Sequence, residues 1–269
     1  MLNLISSLLK NEGIALFGAI PLSECKIIKP YLLDRCRISS GTAIVIAAPY
    51  LVDDGVEPNI SRYAISRDYH LFYKELFDRL IPALKKEYPE NKFAGFADHS
   101  PIDEIHAAAK CSLGVIGRHG LLITEKYSSF VFIATLFTDA VLDCTVGEIR
   151  ECEGCGLCQR ACPVDLSKSE CLSAITQKKG ELTSDDVRLM KKHNTVWGCD
   201  LCQMACPHTK AAIKSGSIYT TIPFFLKDRT PVLTYETIEK MSDGQFSERS
   251  YSWRGRSVIL RNLQRMESE

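Results

Sequence analysis

The sequence has no net charge: 33 Lys and Arg balance 33 Asp and Glu over 269 residues. The field of the whole molecule therefore does not steer a polyanion, and any nucleic-acid partner must be met by a local basic patch. Long apolar runs are also missing. The longest, such as Ala43 to Ala48 and Phe130 to Phe137, fall well short of the roughly 18 residues that span a bilayer, so neither a transmembrane helix nor a membrane partner is expected. Met1 to Lys10 is a short amphipathic stretch without a basic leader, a long apolar segment or a cleavage site, which makes a cytoplasmic location the expectation. No G-x-G-x-x-G follows a strand. The run Gly114-x-x-Gly117-x-x-Gly120 reads equally as glycines in a turn before a strand at Leu121 to Thr124, so a Rossmann site for flavin or nicotinamide is not supported. Internal repeats and low-complexity segments are absent too.

What is present is an ordinary globular composition, 45% apolar and 25% charged, long enough at roughly 150 residues per domain for about two domains. Residues 1–147 alternate β-rich runs (Ile14 to Ile20, Thr42 to Pro49, Phe93 to Ala97, Ser129 to Phe137) with helical spacing, an α/β (α+β) pattern. Tyr63 to Glu87 keeps helical spacing through Tyr69, Phe72, Tyr73, Leu76, Phe77, Leu80 and Leu84, with Pro82 expected to kink it or begin a new turn. A second helix is predicted near Ile102, after Asp98-His99-Ser100-Pro101. Asp98 then sits at a strand end on a loop facing a possible ligand, or serves as the helix N-cap. The texture changes near Thr145 to Arg150. Residues 148–215 are short cysteine-punctuated segments, and 216–269 form a C-terminal extension whose arginines 249, 254, 256, 261 and 265 have no acid among them.

Twelve cysteines in a chain without secretion signals mean metal before disulfides. Cys25, Cys36, Cys111 and Cys144 are scattered and read as buried small apolar residues, with Cys144 the one possible substitute ligand. The other eight lie between Cys152 and Cys206. Cys152-x2-Cys155-x2-Cys158-x3-Cys162-Pro163 is a ferredoxin run, in which three thiolates wrap one iron–sulfur cube and the fourth reaches a neighbouring one. Cys199-x2-Cys202-x3-Cys206-Pro207 repeats its end, and Cys171 can complete the second quartet. The crossing rule suggests Cys152, Cys155, Cys158 and Cys206 on one [4Fe-4S] cluster, and Cys162, Cys171, Cys199 and Cys202 on the other. A pair of zinc sites is the competing reading, against which stands the packing of four cysteines into one short run followed by proline. Two cubes form an electron wire that leaves bond chemistry to something else, and the preceding α/β domain favours an attached catalytic or cofactor-binding unit.

Specific blocks carry a family resemblance. Arg62-Tyr63-Ala64 with Arg67-Asp68-Tyr69-His70, Asp98-x-x-Pro101, Leu113-Gly114-x-x-Gly117-Arg118, Ser129 through Thr138, the eight cysteines, Cys171-Leu172-Ser173, Thr176-Gln177-x-x-Gly180, Gly198-Cys199-Asp200, Ser252-Trp253-Arg254-Gly255 and Arg261-Asn262 run in order along nearly the whole chain. In these blocks it resembles the epoxyqueuosine reductases, cobalamin and iron–sulfur enzymes of tRNA modification related to reductive dehalogenases. The resemblance implies a cobalamin-binding domain followed by a ferredoxin-like double [4Fe-4S] domain, with cobalamin held base-off at their junction and an external electron donor. The reaction it implies is reduction of the epoxide of epoxyqueuosine to queuosine, with Asp98 as the acid. Implied cofactor contacts are Arg62, Asp98, Gly117, Leu121, Leu122, Ser173, Gly198 and Asp200. Arg62, Arg67, Tyr69 and His70 are expected to meet the cobalamin tail or a tRNA phosphate, or else to form a solvated helix face.

Members of that family continue into a helical-repeat domain that helps hold the tRNA, and this sequence ends at Glu269 without one. The remaining candidates for the tRNA anticodon stem-loop are Lys178-Lys179, Lys191-Lys192, the arginine tail and Trp253, each with solvated charge or core packing as the alternative. His106, His193 and His208 are read as surface or core histidines. A cobalamin-dependent reductase of a smaller substrate, and a non-catalytic electron carrier, stay open beside the reductase reading.

Overall fold

The structure, a computed structural model, describes residues 1–166 and 170–267. Its centre is a four-stranded sheet in the order β1-β2-β6-β3, built from β1 (Leu16–Pro21), β2 (Thr42–Pro49), β3 (Phe93–Ala97) and β6 (Val131–Thr138). Between β3 and β6 the short β4 (Val115–Ile116) and β5 (Leu122–Ile123) make a separate hairpin. Every pairing in the main sheet is antiparallel, with Ala48 opposite Phe132 and Ala97 opposite Ala134. The domain is therefore α+β rather than a parallel α/β sheet. Alternating strands and helices do not encode strand direction, and here β2 and β3 run the same way only because β6 lies between them.

The central strands are buried on both faces, and their period-2 alternation sorts side chains into two cores. Ile44, Ile46 and Ala48 of β2 join Phe132, Ala134 and Leu136 of β6 on one face. Ala43 and Val45 join Phe137 on the other. Helices α1 (Leu2–Asn11) and α3 (Tyr69–Glu87) cover the first face, while α2 (Pro30–Cys36) and α4 (Glu104–Lys110) contribute Leu33, Ala107, Ala108 and Ala109 to the second.

The helical stretch expected from Tyr63 is interrupted. A 3-10 turn over Arg62–Ala64 is followed by a break, and α3 begins at Tyr69 because the Asp68 side chain accepts the His70 N–H as its N-cap. Pro82 lies inside α3, which runs on to Glu87. The helix predicted near Ile102 begins at Glu104, with Asp103 rather than Asp98 as its cap.

The cysteine-bearing segment carries α5 (Leu157–Ala161), α6 (Leu172–Thr176), α7 (Ser184–Lys192), α8 (Leu201–Met204) and α9 (Pro207–Ser215). Its own apolar cluster of buried side chains is small: Leu172, Ile175, Leu182 and Met190. After it come α10 (Pro223–Leu226), α11 (Tyr235–Lys240), α12 (Asp243–Ser247) and α13 (Arg256–Glu267). The cores cross the boundary placed at residue 216. Ile218, Ile222 and Phe225 fill the first sheet core, whereas Leu233, Ile238, Tyr251, Ile259 and Leu263 pack with Ile60, Ile65, Val196 and Trp197. Among the described residues no helix is long and apolar enough to cross a membrane.

Candidate active site

A cavity of about 690 Å³ opens where three parts of the chain meet. Tyr50, Asp98, Val131, Phe132 and Ile133 come from the sheet, Tyr69, His70 and Glu104 from the starts of α3 and α4, and Gln177, Gln203, Ser250 and Trp253 from the segments that follow. Its floor is aromatic. Tyr69 stacks on Phe132 at 4.3 Å between ring centroids, and Tyr50 stacks on Phe132 at 4.2 Å. Burial pushes the phenols of Tyr50, Tyr63 and Tyr69 well above their ordinary range, so they remain neutral hydrogen-bonding groups. Ser129 donates to Gln203 Oε1 at 2.9 Å, tying β6 to α8 beneath the cavity.

Asp98 follows β3 directly in a tight turn closed by His99 N–H on the Ala97 carbonyl at 2.6 Å. Its φ of +61° lies in the left-handed region that aspartate tolerates better than most residues. The carboxylate projects outward, 71% exposed, with Oδ2 3.9 Å from His70 Nε2. His70 Nδ1 lies 2.8 Å from Asp68 Oδ1, and that hydrogen bond raises the imidazole pKa despite partial burial. Behind the turn, Glu104 is half-buried and its carboxyl is pushed up to about 8, first by burial and then by the Asp98 charge.

Of the expected cofactor contacts, Asp98 and Leu121 line this cavity and the others do not. Asp200 is buried and already engaged: it accepts from Ser61 Oγ at 2.5 Å and from Arg62 N–H at 2.7 Å, and pairs with the Arg62 guanidinium at 3.5 Å. It locks the 3-10 turn to α8 and leaves Arg62 facing Glu57. Gly198 sits at φ +71°, where a Cβ would come within 2.4 Å of Ser61, so glycine is required by close packing there. Gly117 closes the β4–β5 turn, its N–H on the Leu121 carbonyl, and Leu122 points into the second core. Ser173 Oγ accepts from Gln177 Nε2 at 3.0 Å and so supports a cavity residue rather than facing the cavity.

Cys152, Cys155, Cys158 and Cys206 line a second cavity of about 60 Å³ together with His119 and His208. Cys162, Cys171 and Cys199 are electrostatic neighbours of Cys202, whose thiol burial pushes up to about 12. Backbone N–H groups already point at two sulfurs, Arg118 at Cys152 Sγ (3.3 Å) and Leu166 at Cys162 Sγ (3.2 Å). Among the described residues no three His, Cys, Asp or Glu groups are close enough to hold one metal ion.

Cys25 and Cys111 are buried as small apolar residues, but Cys36 and Cys144 are half-exposed. Cys144 has Cys25 and Cys111 as electrostatic neighbours and donates to the Leu142 carbonyl, which does not favour it as a substitute ligand. The arginine tail is mostly committed to the fold. Arg249 donates to the carbonyls of Ile65 and Asp228, Arg256 to that of Ile238, Arg261 to those of Lys178 and Gly180, and Arg265 pairs with Glu181. Lys178 pairs with Asp186 at 2.9 Å. Arg254 instead lies over the ring of Trp253, which is 61% exposed at the cavity. His106 and His193 each bury one ring nitrogen with no partner among the described residues, and His208 lines the small thiol cavity. The sequence did not single out Glu104 or Gln203, because an acid in a helix first turn and a glutamine between cysteines are ordinary surface choices.

The family model described as epoxyqueuosine reductase QueG, DUF1730, matches residues 36–99. An epoxyqueuosine reductase of Leadbetterella byssophila is 36% identical over 44% of this chain and 41% of its own. One of Gloeobacter violaceus is 29% identical over 82% of this chain and 71% of its own, and one of Bacillus subtilis 26% identical over 90% and 65%. The chain spans about two fifths of the length of the Leadbetterella relative. Among solved structures, an epoxyqueuosine reductase with an epoxyqueuosine-modified tRNA-Tyr stem loop superposes with a TM-score of 0.78 at 22% identity, covering 98% of this chain and 80% of that one. The Streptococcus thermophilus enzyme gives the same TM-score at 21% identity and the same coverage. In sequence and in fold, the chain is similar to the epoxyqueuosine reductases, the family its own blocks resemble.

Proposed function

We propose that this protein is a cobalamin- and iron–sulfur-dependent epoxyqueuosine reductase, acting in the cytoplasm on the anticodon stem-loop of tRNA with electrons from an external donor. One observation carries the reading: a cavity with an aromatic floor, edged by Asp98, lies between the sheet and a segment that gathers eight thiols. Its volume falls within the range of about 300–1,000 Å³ that suits large organic ligands. The spacing of the thiols suits two [4Fe-4S] clusters, and Cys152, Cys155, Cys158 and Cys206 lie around one void of about 60 Å³. The N–H groups aimed at Cys152 and Cys162 suit cluster sulfurs, whose potential such hydrogen bonds tune.

When bound, cobalamin supplies a strong reductant and the clusters deliver its electrons one at a time. The chain supplies the rest. Tyr50, Tyr69 and Phe132 wall the cavity against water, which strengthens every polar contact inside it. Reducing an epoxide to an alkene takes two electrons and two protons and releases water, and the departing oxygen leaves poorly unless protonated. Asp98, at the edge of the cavity, is the group placed to deliver that proton. A Bacillus subtilis epoxyqueuosine reductase structure is described with its catalytic aspartate loop swung out of the active site, and an Asp98 that swings in from its exposed turn after β3 is the corresponding reading for this chain. Trp253 with Arg254 at the rim offers an aromatic face to an unpaired base.

The test is an anaerobic assay with reconstituted clusters and cobalamin, a strong reductant and epoxyqueuosine-containing stem-loop, with queuosine read by mass spectrometry. Product dependent on cobalamin, and lost in Asp98→Asn while the corrin and cluster absorbances persist, is the expected result. Bound cobalamin without product would instead point to a different, smaller substrate. A chain that binds no corrin would be an electron carrier.

A further inference from the structure

Resting on the cluster part of the reductase reading, we infer that His119 donates a hydrogen bond from Nε2 to a sulfur of the cluster held by Cys152, Cys155, Cys158 and Cys206, and so raises its reduction potential. His119 lies in the turn between β4 and β5, within the glycine run of residues 114–120 that no nucleotide site explains. Its ring lines the same cavity as those four thiols. Gly117 makes the room: a Cβ there would come within 2.5 Å of His119 Cε1 and 2.9 Å of Nδ1. The hairpin is also tied to the quartet directly, since Arg118 N–H donates to Cys152 Sγ at 3.3 Å and Cys152 N–H to the Ile116 carbonyl at 3.0 Å.

The two ring nitrogens have different tasks. Nδ1 accepts from Leu121 N–H at 3.2 Å, so its lone pair is taken and the ring proton sits on Nε2. Nε2 is buried and has no partner among the described residues. A nitrogen that carries a proton has no lone pair to give iron or zinc, so His119 is a donor at this site and not a ligand. Glu153, the one carboxylate lining the void, is exposed, which leaves sulfur as the acceptor for a buried N–H. When the external donor passes one electron in, the donor is oxidised and the cluster reduced. The Nε2–H bond stays intact and no proton moves. An N–H aimed at sulfur stabilises the more negative, reduced state more than the oxidised one, and this is what raises the potential. Cys155 of this quartet is exposed, so this is the cluster open to an arriving donor, and the raised potential makes it the readier acceptor.

The test is an EPR-monitored redox titration of the full chain with reconstituted clusters, with iron and acid-labile sulfide measured alongside. His119→Leu should make one-electron reduction of one cluster about tenfold less favourable, a fall of about 59 mV in its midpoint, and leave the other cluster where it was. His119→Gln, which keeps an N–H at similar reach, should recover most of the shift. If His119→Leu fails to fold or to load, Gly117→Ala keeps the imidazole but displaces the ring, and it should lower the same midpoint. With nitrogen-15 histidine in the wild-type chain, pulsed EPR should show a weakly coupled nitrogen that is lost in His119→Leu. A strong coupling, as from an imidazole bound to iron, would make His119 a ligand and overturn the inference. Midpoints indifferent to both His119 and Gly117 in fully loaded chains would overturn it too, with the cluster reading left standing. A chain that holds zinc and no acid-labile sulfide removes the cluster reading, and this inference with it.

Discussion

Glu104 couples protonation to folding, with a sign that follows from its surroundings. Its carboxyl sits at about 8 in the folded chain against 4.5 ordinarily, so between those pH values the folded state keeps a proton the unfolded chain has lost. Stability is intact below the lower value and falls as pH rises through the window. Glu104→Gln removes that slope. In urea melts the variant should exceed wild type at pH 8 by an amount on the order of a few kcal/mol, and match it near pH 4. A difference independent of pH would show that Glu104 is ionised in the fold. At this scale the sequence was legible where a residue type is bound to a spacing, as in the cysteine run, three of whose thiols the fold brings to one cavity with Cys206. It was silent where burial decides: that Asp200 fastens Ser61 and Arg62, and that Gly198 passes close against Ser61, shows only in the fold.

The elements show what short-range pattern can and cannot carry. The strands at Thr42–Pro49 and Phe93–Ala97 fall where short apolar runs placed them. The break between the 3-10 turn and α3 was hidden, because it is enforced from the tail: Asp68 N–H donates to the Glu248 carbonyl at 2.8 Å, and Arg67 pairs with the Glu248 side chain at 2.9 Å. Asp68 therefore does two jobs, capping α3 and holding His70. Replacing it with Ala should cost about 1 kcal/mol of stability in thermal melts, as loss of an N-cap does. The same change should bring the His70 imidazole pKa down in proton NMR titration, since the Asp68 hydrogen bond is the largest cause of its elevation. A His70 titration that does not move would mean the neighbouring Asp98 holds it instead.

At the scale of the whole molecule the cysteine segment is bound at both ends by cores that are not its own, and its private core is four side chains. That is little apolar surface to order some 60 residues against their conformational entropy, and under the proposed function the iron–sulfur clusters supply the difference. Stripping iron with a chelator should then open this segment first: limited proteolysis should cut between Cys152 and Cys206 while the sheet stays intact. Cleavage spread evenly along the chain would remove that division of stability. Asn262, fully buried and donating to the carbonyls of Thr176 and Val196, is the latch expected to yield with it.

The return of Ile218, Ile222 and Phe225 to the first sheet core also has a temporal meaning. A chain made from its amino end at about 5–20 residues per second cannot close that core until Phe225 has left the ribosome, after all eight cluster cysteines have emerged. If the thiols take iron and sulfide as proposed, the nascent sheet is still unfinished while they are most open to delivery, and closure of the core follows loading.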